Sequence, residues 1–384
     1  MSSTRKWGAV FAWFLYLLIL LELFAFLSSR FVPKISQFFY DYGSMSESEY
    51  AEYLDKRNPV LGWPAPNDDF ASNGYEPRMP PRFETPCVSV YGDSFTYSDG
   101  VDGESSWPYL ASDSLNCDVL NFGIGGYGTY QTYLRFRENA PYDEGRIVVL
   151  NHMSENISRV RNQYRSLLYQ GNIEGYKPVA VADGSTLTYV APPTFDSYAD
   201  YQEAMKNPTA RHFPHEAYLP DSGFANFRRE FPFTLSLAKA VLHHYKVETM
   251  LFNTPMYEFH YGNPDDVELV LRIMQAFAAE AEKNSRIPLI ALVPKCNDYE
   301  FLEREGRFTY SPLSDALEDS GMEYFDFGEA IRKRDDFASF HDWYGPKCGG
   351  HPNEAGYRVM AEVFSEYMQE SGHVDPKSGE LPVE

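Results

Sequence analysis

Basic residues are scarce in this sequence. Lys and Arg total 33 against 55 Asp and Glu, a formal net charge of −22 over 384 residues. Neutralising a phosphate backbone needs the opposite sign, so the balance argues against a nucleic-acid partner. It also repels anionic lipid surfaces. Cysteine is scarcer, with four in the chain: Cys87, Cys117, Cys296 and Cys348. They form no Cys-x-x-Cys or Cys/His zinc spacing, which argues against a metal site. Internal repeats and low-complexity runs are absent, and a long hydrophobic run occurs once. What is present suffices for a globular protein. Hydrophobic residues make up 43%, which excludes a wholly disordered chain. At about 150 residues per domain the length allows two or three domains. The aromatic fraction, 16%, reads mainly as core filling, although aromatic faces also suit sugars and acyl chains.

The long hydrophobic run is N-terminal. Trp7–Leu27 is apolar except for Glu22. At about 1.5 Å per residue it reaches about 31 Å, one hydrocarbon core. That exceeds the about 7–15 residues of a signal-peptide apolar region, so the reading is an uncleaved transmembrane anchor, with cleavage near Ala25, Ser28 and Ser29 as the alternative. Arg5 and Lys6 before the run are balanced by Arg30 and Lys34 after it, so charge counting does not orient it. A single N-terminal span ahead of a large acidic domain implies an extracytoplasmic domain from about residue 35. Glu22, about two turns from the exit side, reads as a snorkelling carboxylate.

Beyond the anchor (1–34), residues 35–85 read as an approach segment. Ser46–Lys56 suits a short helix with Ser46 as N-cap, and prolines at 59, 64, 66, 77, 80 and 81 favour extended chain. A regular pattern then begins. Apolar runs at Cys87–Tyr91, Val119–Phe122, Ile147–Leu150, Leu289–Val293 and Tyr324–Phe327 alternate with helical patterns at Trp107–Leu115, Tyr130–Asn139 and Asp266–Asn284, the last with Asp265 as its cap. Short apolar strands alternating with helices imply an α/β fold with a parallel sheet covered on both faces. Residues about 170–260 break the rhythm and read as an insertion or cap, with a Val179–Val190 hairpin turning at Asp183-Gly184 and a helix near Phe233–Tyr245.

Four segments could carry chemistry. Gly92-Asp93-Ser94-Phe95-Thr96 follows the first strand, at the sheet edge where open α/β proteins bind ligands. Asn121-Phe122-Gly123-Ile124-Gly125-Gly126-Tyr127-Gly128-Thr129 follows the second; its glycines match G-x-G-x-x-G, but the acidic residue a dinucleotide site needs is missing, since the next strand ends at Asn151. Asn151-His152-Met153-Ser154-Glu155-Asn156-Ile157 follows the third. Gly350-His351-Pro352-Asn353-Glu354-Ala355-Gly356 lies near the C-terminus. A serine, a glycine loop, an amide and a histidine are the parts acyl transfer needs: nucleophile, base and oxyanion donors.

Here the chain resembles the SGNH/GDSL hydrolase superfamily of esterases and acyltransferases. The resemblance is closest over Val88–Glu138 (GDSFTYSDGVDGESSWPYLA and NFGIGGYGTYQTYLRFRE) and in GHPNEAGYRVMAE, and weakest over about 165–285. It implies a three-layer, flavodoxin-like parallel sheet over residues 86–384, interrupted by the insertion. It further implies Ser94 as nucleophile, His351 as base, and Ser94, Gly126 and Asn156 as the oxyanion hole. Gly92 and Asp93 then support the motif, with Asp93 structural. Two positions depart from the family pattern. The third block, usually Gly-x-Asn-Asp, reads Ser-Glu-Asn-Ile, and a one-residue slip would put Glu155 in place of Asn156. The Asp usually two or three residues before the histidine is replaced by Cys348 and Gly349. Asp342 or Asp298 are substitutes for that third triad member; a Ser–His dyad is the alternative.

The expectation is thus a membrane-anchored, extracytoplasmic serine esterase or O-acyltransferase, needing no cofactor, with an acyl ester, glycan-borne or small, as substrate. The rival is an inactive fold that binds glycans or scaffolds an envelope assembly. Cys87 and Cys117 each open a strand and so share the sheet's amino edge, while Cys296 and the Cys348 loop share the carboxyl edge. That favours Cys87–Cys117 and Cys296–Cys348 among three connectivities, with free thiols as the alternative.

Overall fold

The computed structural model describes residues 3–375 except 42, 64–75, 84, 170, 172, 174, 185, 221, 224–225, 244–247, 250, 252–253, 345–347 and 349. Pro64 and Pro66 of the proline-rich text, Tyr245 and Gly349 lie outside the described residues. The chain divides into two compact units. One comprises Met1–Glu52, Asn162–Gly175 and Pro193–Met256; the other comprises Tyr53–Arg161, Tyr176–Pro192 and Tyr257–Glu384.

The second unit is built on β1 (Pro86–Tyr91), β2 (Asp118–Asn121), β3 (Ile147–Met153), β4 (Val179–Asp183), β5 (Thr186–Val190), β6 (Ile287–Val293) and β7 (Tyr324–Asp326). Five of these form one parallel sheet in the order β2-β1-β3-β6-β7, while β4 and β5 form a separate antiparallel hairpin. Val88 of β1 faces Val119 of β2 on one side and Ile147 of β3 on the other. Every residue of β1 and β3 is buried, because helices cover both faces and leave no polar side for alternation to serve. On one face Trp107 packs against Phe327 and Phe364. On the other, Phe136 packs against Phe277.

This strand order is flavodoxin-like. It reverses direction between β1 and β3, and the crevice outside the carboxyl ends of those two strands is where such folds hold ligands. Three local expectations shift. β3 runs on to Met153, beyond the apolar Ile147–Leu150, because Asn151 and His152 find buried partners. The long helix is Pro264–Lys283, and its cap is Asn263, which accepts from the Asp265 N–H; Pro264 then takes the first helical position, where its missing N–H costs nothing. The last strand ends at Asp326, which caps the next helix through the Glu329 N–H.

All four cysteines are paired, Cys87 with Cys117 and Cys296 with Cys348, at Cα separations of 5.8 and 5.0 Å. The second bridge joins the start of the Cys296–Glu305 helix to the loop that carries His351.

The first unit holds the apolar helix Ser3–Phe31, of which Trp7–Phe31 is long and apolar enough to cross a membrane. Its interior is aromatic: Tyr50 stacks on Tyr201 at 4.3 Å and Tyr164 on Phe213 at 5.5 Å. A buried carboxylate, Glu216, gathers the N–H groups of Gln163, Tyr164 and Tyr218; burial nevertheless pushes its pKa up to about 7.

Candidate active site

The nucleophile candidate begins a short helix, Ser94–Tyr97, immediately after β1. Asp93 caps that helix, accepting from the Phe95 N–H at 2.9 Å. The turn is tight enough to require glycine at 92, where a Cβ would lie 1.9 Å from Thr96 Oγ1. Asn121 then ties this helix to the glycine loop. Its amide donates to the Thr96 carbonyl at 2.8 Å, and its Oδ1 accepts from the Gly123 N–H at 3.0 Å. Trp107 Nε1 donates to the Phe95 carbonyl at 3.2 Å. Ser94 is therefore held from two sides.

His351 reaches it from 257 residues away. Its Nε2 lies 2.7 Å from Ser94 Oγ, and its ring packs against Phe95 at 5.1 Å. The loop behind it is fastened at several points. Asn353 caps the Glu354–Glu370 helix through the Gly356 N–H and donates from its side-chain amide to the Asp342 carbonyl at 2.7 Å. Gly356 packs so closely that a Cβ would lie 2.5 Å from the Trp343 carbonyl. The Cys296–Cys348 bridge holds the other side.

Neither substitute for the missing aspartate bonds His351. Asp298 is fully buried and spent on local structure: it accepts from the Lys295 N–H at 2.6 Å, capping the Cys296–Glu305 helix, and from the Ser154 and Thr309 hydroxyls. Asp342 has an exposed side chain and meets the loop through its main chain. Among the described residues His351 Nδ1 has no hydrogen-bond partner. The carboxylate nearest the imidazole is one the sequence analysis missed. Asp99 Oδ2 lies 3.8 Å from Nε2, on the Ser94 side. Burial raises the Asp99 pKa, against the pull of the His351 and Arg78 charges.

The third block separates its two polar residues. Glu155 pairs with Arg159 at 2.7 Å and with Lys295. Arg159 in turn donates to the Asp93 carboxylate at 3.3 Å and to the Tyr127 carbonyl at 2.7 Å, so Asp93–Arg159–Glu155–Lys295 forms a continuous ion chain, buried from Asp93 to Glu155 and half-buried at Lys295. Asn156, next in sequence, is fully buried, and neither polar atom of its side chain has a hydrogen-bond partner among the described residues. Leaving such a group unpaired costs about 1–3 kcal/mol. Gly126 has φ +82°, and its carbonyl accepts from the buried Lys177 ammonium. Its N–H, and that of Ser94, bond nothing among the described residues. Arg159 was legible in principle, four residues after Glu155. Lys177, Lys295 and Asp99 left no signal.

His152 is structural. Its Nδ1 lies 2.7 Å from Thr129 Oγ1 and its Nε2 2.9 Å from Tyr261 OH. Burial, with the Arg159 charge, pushes its pKa down to about 3. The unfolded chain, with an ordinary His near 6.5, takes up the proton first. The stability this residue supports is therefore full above about pH 6.5 and lost as pH falls. Between pH 7 and 5, urea unfolding should show a loss of about 2 kcal/mol that His152→Gln removes; equal slopes in both proteins would refute it.

Cys296, His341 and Cys348 converge, with His341 Nδ1 3.5 Å from Cys348 Sγ. Their sulfurs are bonded to each other, which leaves no thiolate to ligate a metal.

No protein-family description and no curated protein matches this chain. Solved structures of G-D-S-L-type lipolytic proteins and esterases do. A member of the lipolytic protein G-D-S-L family from Veillonella parvula is 12% identical, with a TM-score of 0.36 over 73% of this chain and 96% of its own. The psychrotrophic esterase EstA from Pseudoalteromonas sp. is 10% identical, with a TM-score of 0.36 over 74% and 97%. A two-domain esterase active on acetylated mannans is 12% identical, with a TM-score of 0.33 over 78% of this chain and 52% of its own. Likeness at these TM-scores carries no argument about chemistry, which rests on the site's own geometry.

Proposed function

We propose that this protein is a membrane-anchored serine esterase or O-acyltransferase of the SGNH/GDSL kind. The observation that carries the reading is the 2.7 Å contact between Ser94 Oγ and His351 Nε2 beside β1, at the edge where the strand order reverses. Ser94 Oγ attacks the ester carbonyl and passes its proton to Nε2. The Ser94 and Gly126 N–H groups and the Asn156 amide take the oxyanion. Collapse breaks the ester C–O bond, and the imidazolium protonates the departing alcohol. Water or a sugar hydroxyl then attacks the acyl-Ser94, giving its proton to Nε2; collapse breaks the acyl C–Oγ bond, Nε2 returns the proton to Ser94 Oγ, and the acyl group leaves as acid or new ester. Incubation with an activated acetyl ester should add one acetyl group at Ser94 by intact-mass and peptide spectrometry. An unchanged mass, or a label elsewhere, sinks the enzyme reading.

The catalytic unit is proposed to lie outside the cytoplasm, where its two disulfides persist and an envelope glycan is within reach as substrate. A C-terminal reporter active only in the cytoplasm should give no signal; strong signal there would reverse the orientation. One observation favours a rival, an inactive glycan-binding or scaffold protein: no carboxylate bonds His351 Nδ1 among the described residues. In that case the acetyl ester leaves Ser94 unmodified.

A further inference from the structure

The reading of Glu22 as a snorkelling side chain does not hold. Its carboxylate accepts from the Phe233 and Thr234 N–H groups and from the Thr234 hydroxyl. These are the first two N–H groups of the Phe233–Leu242 helix, which have no intrahelical partner. A negative charge there also meets the positive end of the helix dipole. Phe26, one turn further along the N-terminal helix, packs its ring 5.1 Å from Phe233. The one acidic residue in the apolar run is thus the fastening for a second, short apolar helix.

That helix has two faces. Ala240 is fully buried and Leu237 packs with it against Phe38, Phe39 and Phe227. On the other face Leu235, Lys239 and Leu242 fall at i, i+4 and i+7 and are exposed. Beyond Leu54, the exposed large apolar side chains among the described residues are Tyr142, Phe231, Leu235, Leu242 and Leu251. Apart from Tyr142, the bulky hydrophobic groups open to solvent beyond Leu54 fall, among the described residues, in this one stretch.

The N-terminal helix indicates what covers them. Its residues Trp7–Phe24 are largely exposed, whereas Ala25, Ser28 and Ser29 are buried by protein. The exposed part measures about 27 Å, close to one hydrocarbon core of about 30 Å. The bilayer boundary therefore falls near Glu22–Ala25, at the level where the Phe233–Leu242 helix is fastened. Ten residues, about 15 Å, are too few to cross, so this helix lies along the boundary. Lys239 on the outward stripe fits that level, since its stem can lie along acyl chains while the ammonium reaches the headgroups.

We propose that the Phe233–Leu242 helix is a second membrane contact, an interfacial helix that Glu22 fastens to the span and whose Leu235 and Leu242, with Phe231 before it and Leu251 after it in sequence, enter lipid. This rests on the reading of Trp7–Phe31 as a membrane span. Because all four native cysteines are bonded, an introduced cysteine is the single free thiol. Full-length Leu20→Cys and Leu242→Cys proteins, each labelled with an environment-sensitive fluorophore, would be reconstituted into phosphatidylcholine vesicles. Quenching by acyl-chain nitroxide lipids would be compared with quenching by aqueous iodide. Both labels should be quenched by lipid and shielded from iodide. Leu20 quenched by lipid with Leu242 open to iodide would overturn the proposal while the span stands. Neither label quenched by lipid would remove the span and the proposal with it. A Leu242 label shielded from both quenchers, and released on diluting the protein in lipid, would mean a second copy covers the face, which also overturns it. Glu22→Ala should raise the ratio of iodide-open to lipid-shielded Leu242 label by about 2- to 30-fold, the range a lost cap supports, and Glu22→Gln far less. An unchanged ratio in Glu22→Ala would refute the fastening.

Discussion

Ser94→Ala is expected to lower turnover of an activated ester by about 10⁴- to 10⁶-fold, the range seen when a nucleophile that works with a base is removed. The physical reason is local. Ser94 Oγ is the atom His351 Nε2 contacts, and an alanine at the first position of the Ser94–Tyr97 helix has no atom to attack with or to give a proton from. Stability should hardly change. The Asp93 cap on Phe95, the Asn121 bond to the Thr96 carbonyl and the Trp107 bond to the Phe95 carbonyl do not involve the hydroxyl. His351→Ala should cost a similar factor, and the double variant little more than either, because the two groups act as a unit. Turnover surviving in Ser94→Ala, with an unchanged unfolding midpoint, would end the proposal that this serine is the nucleophile.

Asn156→Ala should cost about 10²- to 10³-fold in kcat with KM much less affected, as expected for a donor used mainly in the transition state. Its sign on stability sets it apart from an ordinary core truncation. The Asn156 amide is fully buried with no partner among the described residues, so removing it relieves an unpaired polar group. The unfolding midpoint should stay level or rise. Glu155→Gln should behave in the opposite way. Glu155 holds Arg159 and Lys295, and Arg159 holds Asp93, so losing the charge leaves the buried Arg159 and the half-buried Lys295 short of a partner. Stability should fall, while turnover falls far less than in Asn156→Ala. If Glu155→Gln proves the slower enzyme and Asn156→Ala a nearly unaffected one, the oxyanion assignment is off by one residue.

The sequence by itself determined the layers. Short apolar runs that alternate with helical patterns point to a parallel sheet buried on both faces, and the structure has that sheet, with β1 and β3 buried throughout. The resemblance to the SGNH/GDSL superfamily, carried by compact motifs, pointed to Ser94 and His351, and folding brings them within 2.7 Å. Four cysteines narrowed the bridges to three connectivities, with strand edges favouring one; that pairing is present, and folding brought each pair within reach. What only the tertiary structure decided is where each charge goes. Asp298 looked like a substitute triad acid and is a helix cap. Glu155 and Asn156 are neighbours in sequence, yet one is spent on Arg159 and Lys295 and the other is left unpaired. Asp99 reaches the imidazole, and Glu22 fastens a helix some 200 residues away. A burial pattern repeats along the chain, so apolar periodicity can be read from it. A buried charge instead answers to whichever donor folding brings within about 3 Å, and that partner can lie anywhere in the sequence.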